Sequence, residues 1–202
     1  IRDLVRSRGL GDVYKRQLLR DGKFPEARDE FKKALTLEKD KYPIHLQVLQ
    51  LDLQLGDHAS LASDADSTIE LFPTVPEPYL YKGIGLSQLG RYADAEEALI
   101  TGRDLVVDNP QLTAQFWSSL GESYNDAKQF GKSDQAYDKA LAITPDDANT
   151  LNNYAYYLSV RNEQLEKAER MSKHSNELSP GQPSYQDTYA WVLFRSKKYV
   201  EA

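Results

Sequence analysis

Apolar residues recur at helical spacing through most of this chain, in short amphipathic segments separated by polar turns. Gly22, Gly56 and Gly90 fall 34 residues apart, each between two such segments. The clearest pair runs from Ala114 to Asp147. Trp117, Leu120, Gly121 and Tyr124 mark its first helix; Phe130, Tyr137 and Ala140 mark the second, and Pro145 follows. Tyr79, Gly83, Leu86, Tyr92, Ala95, Leu99 and Gly102 repeat the pattern. So do Leu151, Tyr154, Ala155, Leu158, Leu165, Ala168 and Pro180, with an extra residue in the internal turn. Phe24, Ala27, Phe31 and Ala34 keep only the second-helix half. Around Gly56 and Pro73 the pattern is degenerate, with Leu61, Ala65 and Thr68 at the second-helix positions. Self-similarity at a fixed period predicts an all-α stack of helix–turn–helix units. Small residues such as Gly83, Gly121, Ala95, Ala155 and Ala168 are expected where helices approach closely. Trp117, Tyr124, Phe31 and Tyr137 are expected to fill the space between units. Pro73, Pro145 and Pro180 are expected to stop second helices, since proline lacks the N–H and clashes with the preceding turn.

The Ala114–Asp147 unit resembles the tetratricopeptide repeat, W-x2-L-G-x2-Y followed by A-x3-F, A and P, with Ser133 where that family prefers alanine. The resemblance implies a tetratricopeptide-repeat solenoid, a right-handed superhelix of antiparallel helix pairs. About five and a half repeats are expected, over approximately 18–41, 42–75, 76–113, 114–147, 148–182 and an incomplete 183–202. Such arrays act by presenting a surface rather than by running a reaction. The run from Leu151 to Phe194, with LNNYAYYL followed by DTYAWVLF, is similar to the closing repeats of bacterial members. That similarity implies a bacterial origin and leans towards the cell envelope or periplasm over the cytoplasm.

Both ends read as foreign or cut. Residues 1–17 break the pattern, and DVYKRQ back-translates to GAT-GTG-TAT-AAG-AGA-CAG, which resembles the mosaic end of a transposase-based sequencing adapter. SRGLG fits the adjoining primer segment in the same frame. Ile1–Gln17 is therefore expected to be translated adapter that adds nothing to the fold, with Asp12–Arg20 turning helical only by accident because Tyr14 and Leu18 land on packing positions. At the other end Tyr189, Ala190, Trp191, Leu193 and Tyr199 reproduce the first half of a sixth repeat, so a truncated internal fragment is expected. Trp191, Leu193 and Phe194 are then expected to lack cover.

Composition narrows the chemistry. The 202 residues carry a formal net charge of −6 and no cysteine, which excludes disulfides, zinc–thiolate sites and thiol catalysis. Mixed charge signs without a basic face argue against nucleic acid. No apolar run is long enough to span a bilayer, so no membrane insertion by this fragment is expected. His45, His58 and His174 are too scattered for a metal triad and read as surface or packing residues. Gly83-Ile84-Gly85 follows no strand, and Asp64-Ala65-Asp66-Ser67 lacks the glycine and glutamate of a calcium loop. Asp146-Asp147 is expected to cap a helix. No nucleophile–base pair is apparent, so neither an enzyme, a cofactor nor a metal is expected.

In the family, first helices line a concave groove, and the resemblance transfers that role residue by residue. Leu46, Gln50 and Gln54 would belong to it, then Leu80, Ile84 and Gln88, then Ser118, Glu122 and Asn125. Asn149, Asn152, Tyr156 and Ser159 would follow, then Asp187, Trp191 and Arg195. Cations are nearly absent, which argues against the clamp that seizes an acidic chaperone tail. Amides and aromatics suit an extended or helical protein segment, with Asn152 bonding its backbone and Tyr156 and Trp191 gripping a side chain, unless the two aromatics instead pack between repeats. Two functions fit: a protein-binding scaffold, or the regulatory repeat region of a larger enzyme or signalling protein. The partner's identity and the oligomeric state are not encoded in any motif.

Overall fold

The computed structural model describes residues 13–200, and every regular element among them is helical. The chain divides into two compact units, the first ending at Leu105 and the second beginning at Val106. The first unit contains α1 (helical over 13–20), α2 (Phe24–Leu37), α3 (Tyr42–Gln54), α4 (His58–Leu71), α5 (Glu77–Gln88) and α6 (Tyr92–Asp104). The second contains α7 (Pro110–Asp126), α8 (Phe130–Ile143), α9 (Ala148–Arg161), α10 (Leu165–Leu178) and α11 (Pro183–Arg195). Each unit is a stack of antiparallel helix pairs, the architecture the repeat pattern predicts.

One turn recurs inside these pairs. The backbone is left-handed at Gly22, Gly56 and Gly90, and equally at Lys128, Asn162 and Lys197. At each site the next residue donates its N–H to a carbonyl five residues back, as Arg91 does to Leu86 and Gln129 to Tyr124. This bond closes a Schellman motif and satisfies a carbonyl that the ending helix leaves free. A side chain at Gly90 would meet nothing within 4 Å, so glycine is favoured there by its backbone freedom alone.

Helix starts follow local chemistry. Asp57, Asn109 and Asp147 accept from the backbone N–H of Ser60, Leu112 and Thr150, at 3.1, 3.0 and 2.7 Å. The Asn109–Pro110 cap corrects one boundary. Repeat counting starts the fourth first helix at Ala114, but proline at the first helical position and asparagine before it begin α7 a turn earlier. As expected, α4, α8 and α10 each stop two residues before Pro73, Pro145 or Pro180.

Close approaches fall where the small residues predict them. An added Cβ at Gly121 would lie 2.8 Å from the Tyr137 ring, and one at Gly83 would overlap Leu99. At Gly85 it would press on backbone, 3.0 Å from the His58 carbonyl oxygen. In the second unit Tyr137, Tyr154, Leu151, Ala155, Leu158, Ala168, Met171 and Val192 form one continuous cluster.

Within the described residues the expected helix at the N-terminal end is present over 13–20, with one of its two expected packing positions unfilled. Positions 13–17 are helical, Tyr14 is exposed rather than packed, and Lys15 is buried with its ammonium 5.0 Å from the Phe31 ring centre. Leu18 does pack, against Ala27 and Leu51. Residues 1–12 of the proposed adapter lie outside the described residues. At the other end Trp191 and Phe194 are exposed, but Leu193 is buried, contrary to expectation, because it points with Val192 away from the aromatic face.

Candidate protein-binding groove

The expected groove residues fall in both units. In the first, α3 contributes Leu46, half-buried, with Gln50 and Gln54 exposed. On α5, Gln88 is exposed, Ile84 packs against Leu49, Leu61 and Ala65, and Leu80 is only 8% exposed. Leu80 therefore serves the core, a correction to its assigned role, since a leucine eight-tenths or more sequestered gains more from packing than a partner could add.

The second unit brings its first helices side by side, with α9 packed against both α7 and α11. Thr150 on α9 donates to the Ser118 hydroxyl on α7 at 3.1 Å. Asn176 on α10 donates to the Tyr185 carbonyl on α11 at 2.8 Å. These bonds tie α9 to α7 and α11 to α10. Tyr156 and Trp191 are 45% and 39% exposed, so neither is a core residue. With Val160, Asp187 and Thr188 they line an open pocket of about 410 Å³. Val160 and Thr188 were not expected in this pocket. Val160 lies one helical turn beyond Tyr156, and that spacing was the available signal.

Asn152 is corrected in the same way as Leu80. It is 7% exposed, and its Oδ1 is buried without a hydrogen bond, so it is not a free backbone reader. Ser159 is fully buried and bonds the Tyr156 carbonyl at 2.6 Å. Asn149 and Asp187 are exposed; Ser118, Glu122, Asn125 and Arg195 are half-buried.

Charge gives the α7 side its character. Burial first, then the neighbouring Asp126 charge, pushes the Glu122 carboxyl above the usual range. Burial likewise raises Asp126, while an Asn125 amide bond at 3.4 Å opposes it. Tyr157 feels both carboxylates: burial first, then Glu122 and Asp126, raise its phenol. It also lies against the Tyr156 ring, with centroids 5.6 Å apart. The Arg195 guanidinium lies 5.7 Å from the Trp191 ring centre. Among the described residues no group of three or more His, Asp or Glu could hold a metal ion, and no helix is long and apolar enough to cross a membrane.

The histidines and acidic pairs have structural partners. His45 is buried between the Lys39 carbonyl, at 2.8 Å, and the Thr68 hydroxyl. His174 meets Asp146 at 2.7 Å. Asp64 and Asp66 pair with Lys32 and Lys82, each at 2.6 Å.

Antiparallel helix pairs stacked within each unit are the architecture of proteins that present an interaction surface. Family models described as tetratricopeptide repeat match residues 114–147 and 136–170. Over 114–170 the chain is thus similar to the tetratricopeptide-repeat family. It is 24% identical over 124 residues to the human mitochondrial import receptor subunit TOM70, which covers 60% of this chain and 20% of that protein. The chain thus spans about a fifth of that curated relative. Among solved structures it is similar to MamA from Desulfovibrio magneticus RS-1, with a TM-score of 0.66 and 21% identity, covering 87% of this chain and 96% of that one. PilW, titled a widely conserved type IV pilus biogenesis factor, gives a TM-score of 0.76 at 14% identity, covering 95% of this chain and 87% of that one. At such identities the two structures speak to fold alone.

Proposed function

We propose that this chain is a protein-interaction scaffold that holds a peptide or client segment in the groove formed by α7, α9 and α11. The observation that carries the reading is the open pocket between Tyr156 and Trp191, two large aromatic groups left half in water on adjacent helices. Aromatic anchors in pockets dominate most protein interfaces, because they remove much apolar area from water at low side-chain entropy cost. One relative is named an import receptor subunit, which supports the same reading. Assembly of a bacterial envelope complex is the setting proposed here, from the likeness of Leu151–Phe194 to the closing repeats of bacterial members.

The test is Tyr156→Ala. With a partner captured by the wild-type chain, the variant should bind roughly tenfold or more weakly, because truncating such an anchor costs about 2 kcal/mol. Its melting temperature should barely move, because nearly half of the side chain is already solvated. Normal binding, or unfolding, would remove Tyr156 from the interface and overturn the groove assignment.

A further inference from the structure

The pocket of the second unit has a charge as well as a shape. Asp187 is exposed and lines the pocket together with Tyr156 and Trp191, and it makes no ion pair among the described residues. A carboxylate and two aromatic side chains lining one pocket offer a cation both Coulomb attraction and ring-quadrupole attraction. Arg195 already illustrates the chemistry by resting its guanidinium near the Trp191 ring. The face beside the pocket extends the charge. Glu122 and Asp126 lie one turn apart on α7, and both carboxyls are raised first of all by burial. A cation brought alongside them would offset that cost, whereas an acidic partner would add to it. Glu122 and Asp126 on α7 and Asp187 on α11 thus give this face an acidic side, with Arg195 beside Trp191.

We propose that the α7–α9–α11 groove selects a basic segment, an extended or helical stretch that seats an arginine or lysine head between Tyr156, Trp191 and Asp187 and aligns a further cation with Glu122 and Asp126. This rests on the groove reading above and adds the partner's chemistry. The geometry favours arginine over lysine in the pocket, because a planar guanidinium can stack on a ring while bonding a carboxylate.

Three matched fluorescein-labelled peptides test it, with leucine and serine frameworks identical and every third residue Arg, Gln or Glu. Fluorescence anisotropy against the intact chain should show the Arg peptide binding at least about tenfold more tightly than the Gln or Glu peptide, with an advantage that shrinks as salt rises. Asp187→Asn and Glu122→Gln should each weaken the Arg peptide several-fold and leave the Gln peptide unchanged. Glu166→Gln, at an exposed carboxylate on α10, removes the same charge elsewhere and should do little. If Arg and Gln peptides bind alike and Tyr156→Ala weakens both, the groove stands and the selectivity for cations is wrong. If the Arg peptide binds but neither Tyr156→Ala nor Asp187→Asn affects it, the attraction is a diffuse response to net charge and the site is wrong. If no peptide binds, the basic-segment proposal falls.

Discussion

The two units stack helix pairs alike but fill and fasten them differently. The first unit's core breaks into separate small clusters, such as Leu18–Ala27–Leu51, Leu49–Leu61–Ala65 and Ala62–Leu86–Ala95. Between them it buries charge. Arg28 bonds Asp52 at 3.0 Å and Asp57 at 2.8 Å, with Asp52 wholly enclosed. The second unit holds a larger cluster centred on Tyr137 and Tyr154, whose rings stack at 4.9 Å. The inner turns differ too, with glycine at all three left-handed positions of the first unit and Lys128, Asn162 and Lys197 in the second. One backbone plan therefore tolerates two solutions. Where Leu61, Ala65 and Thr68 replace larger groups, the Arg28 pairs and the His45–Thr68 contact accompany small clusters; the larger aromatic cluster of the second unit has its own enclosed arginine, Arg161, paired with Asp134.

The sharpest way to break this comparison is to remove the centre of each core. Tyr137→Ala should cost about 3–5 kcal/mol, because the side chain is fully buried in a cluster whose neighbours are helices that cannot collapse inward. Leu61→Ala in the first unit should cost less, about 2–3 kcal/mol, since its cluster is smaller. Urea unfolding followed by circular dichroism measures both. Equal losses would mean that the continuous aromatic core confers no extra stability.

The buried charge of the first unit should give it a pH response. Burial, and then a hydrogen bond shared with Asp64, push the Asp52 carboxyl up to about 7, against the pull of Arg28 and Lys32. A raised folded-state value means that the native chain keeps a proton the unfolded chain has released. Its stability contribution is fully present at acidic pH and is lost as pH rises through about 7. Asp57 has the opposite sign: the Ser60 N–H and hydroxyl, then Arg28, lower it to about 2, so its contribution is lost only in strong acid. Asp52→Asn keeps a neutral donor towards Asp64 and should flatten the decline between the usual carboxylate range and neutrality, by up to about 1.4 kcal/mol per pH unit. Parallel stability curves for the two proteins would show that Asp52 is charged throughout.

The turns predict the smallest effect. Lys128 holds a left-handed backbone at a cost of roughly 1 kcal/mol, and glycine would relieve it while adding freedom to the unfolded chain. Lys128→Gly should therefore gain about 0.5 kcal/mol, and Asn162→Gly less, because asparagine tolerates that region better. A loss in a denaturant titration at Lys128 would show that its side chain contributes more than the turn costs.

The glycine spacing, the prolines and the aromatic positions carried the helix count, the pairing and the close contacts at Gly83 and Gly121, because each expresses a local rule of backbone or volume. The same register named Tyr156, Asp187 and Trp191 together, and the three do share one pocket. Other features were not readable in this way. A left-handed lysine looks like any other lysine in a helical pattern, since the turn is imposed by the helices it joins. Leu80 and Asn152 occupy surface positions in the repeat template, yet both are covered by the helices packed around them. Glu122 and Asp126 read as ordinary solvated charges one turn apart, and Asp52 as an acid on a mixed helix. Periodicity determined which residues lie on which face of a helix. The tertiary stack decided how much water each face keeps, and with it the carboxylates whose proton affinity is raised and the aromatics that stay open. Desolvation depends on neighbours distant in the chain, so it has no signature in the residues themselves.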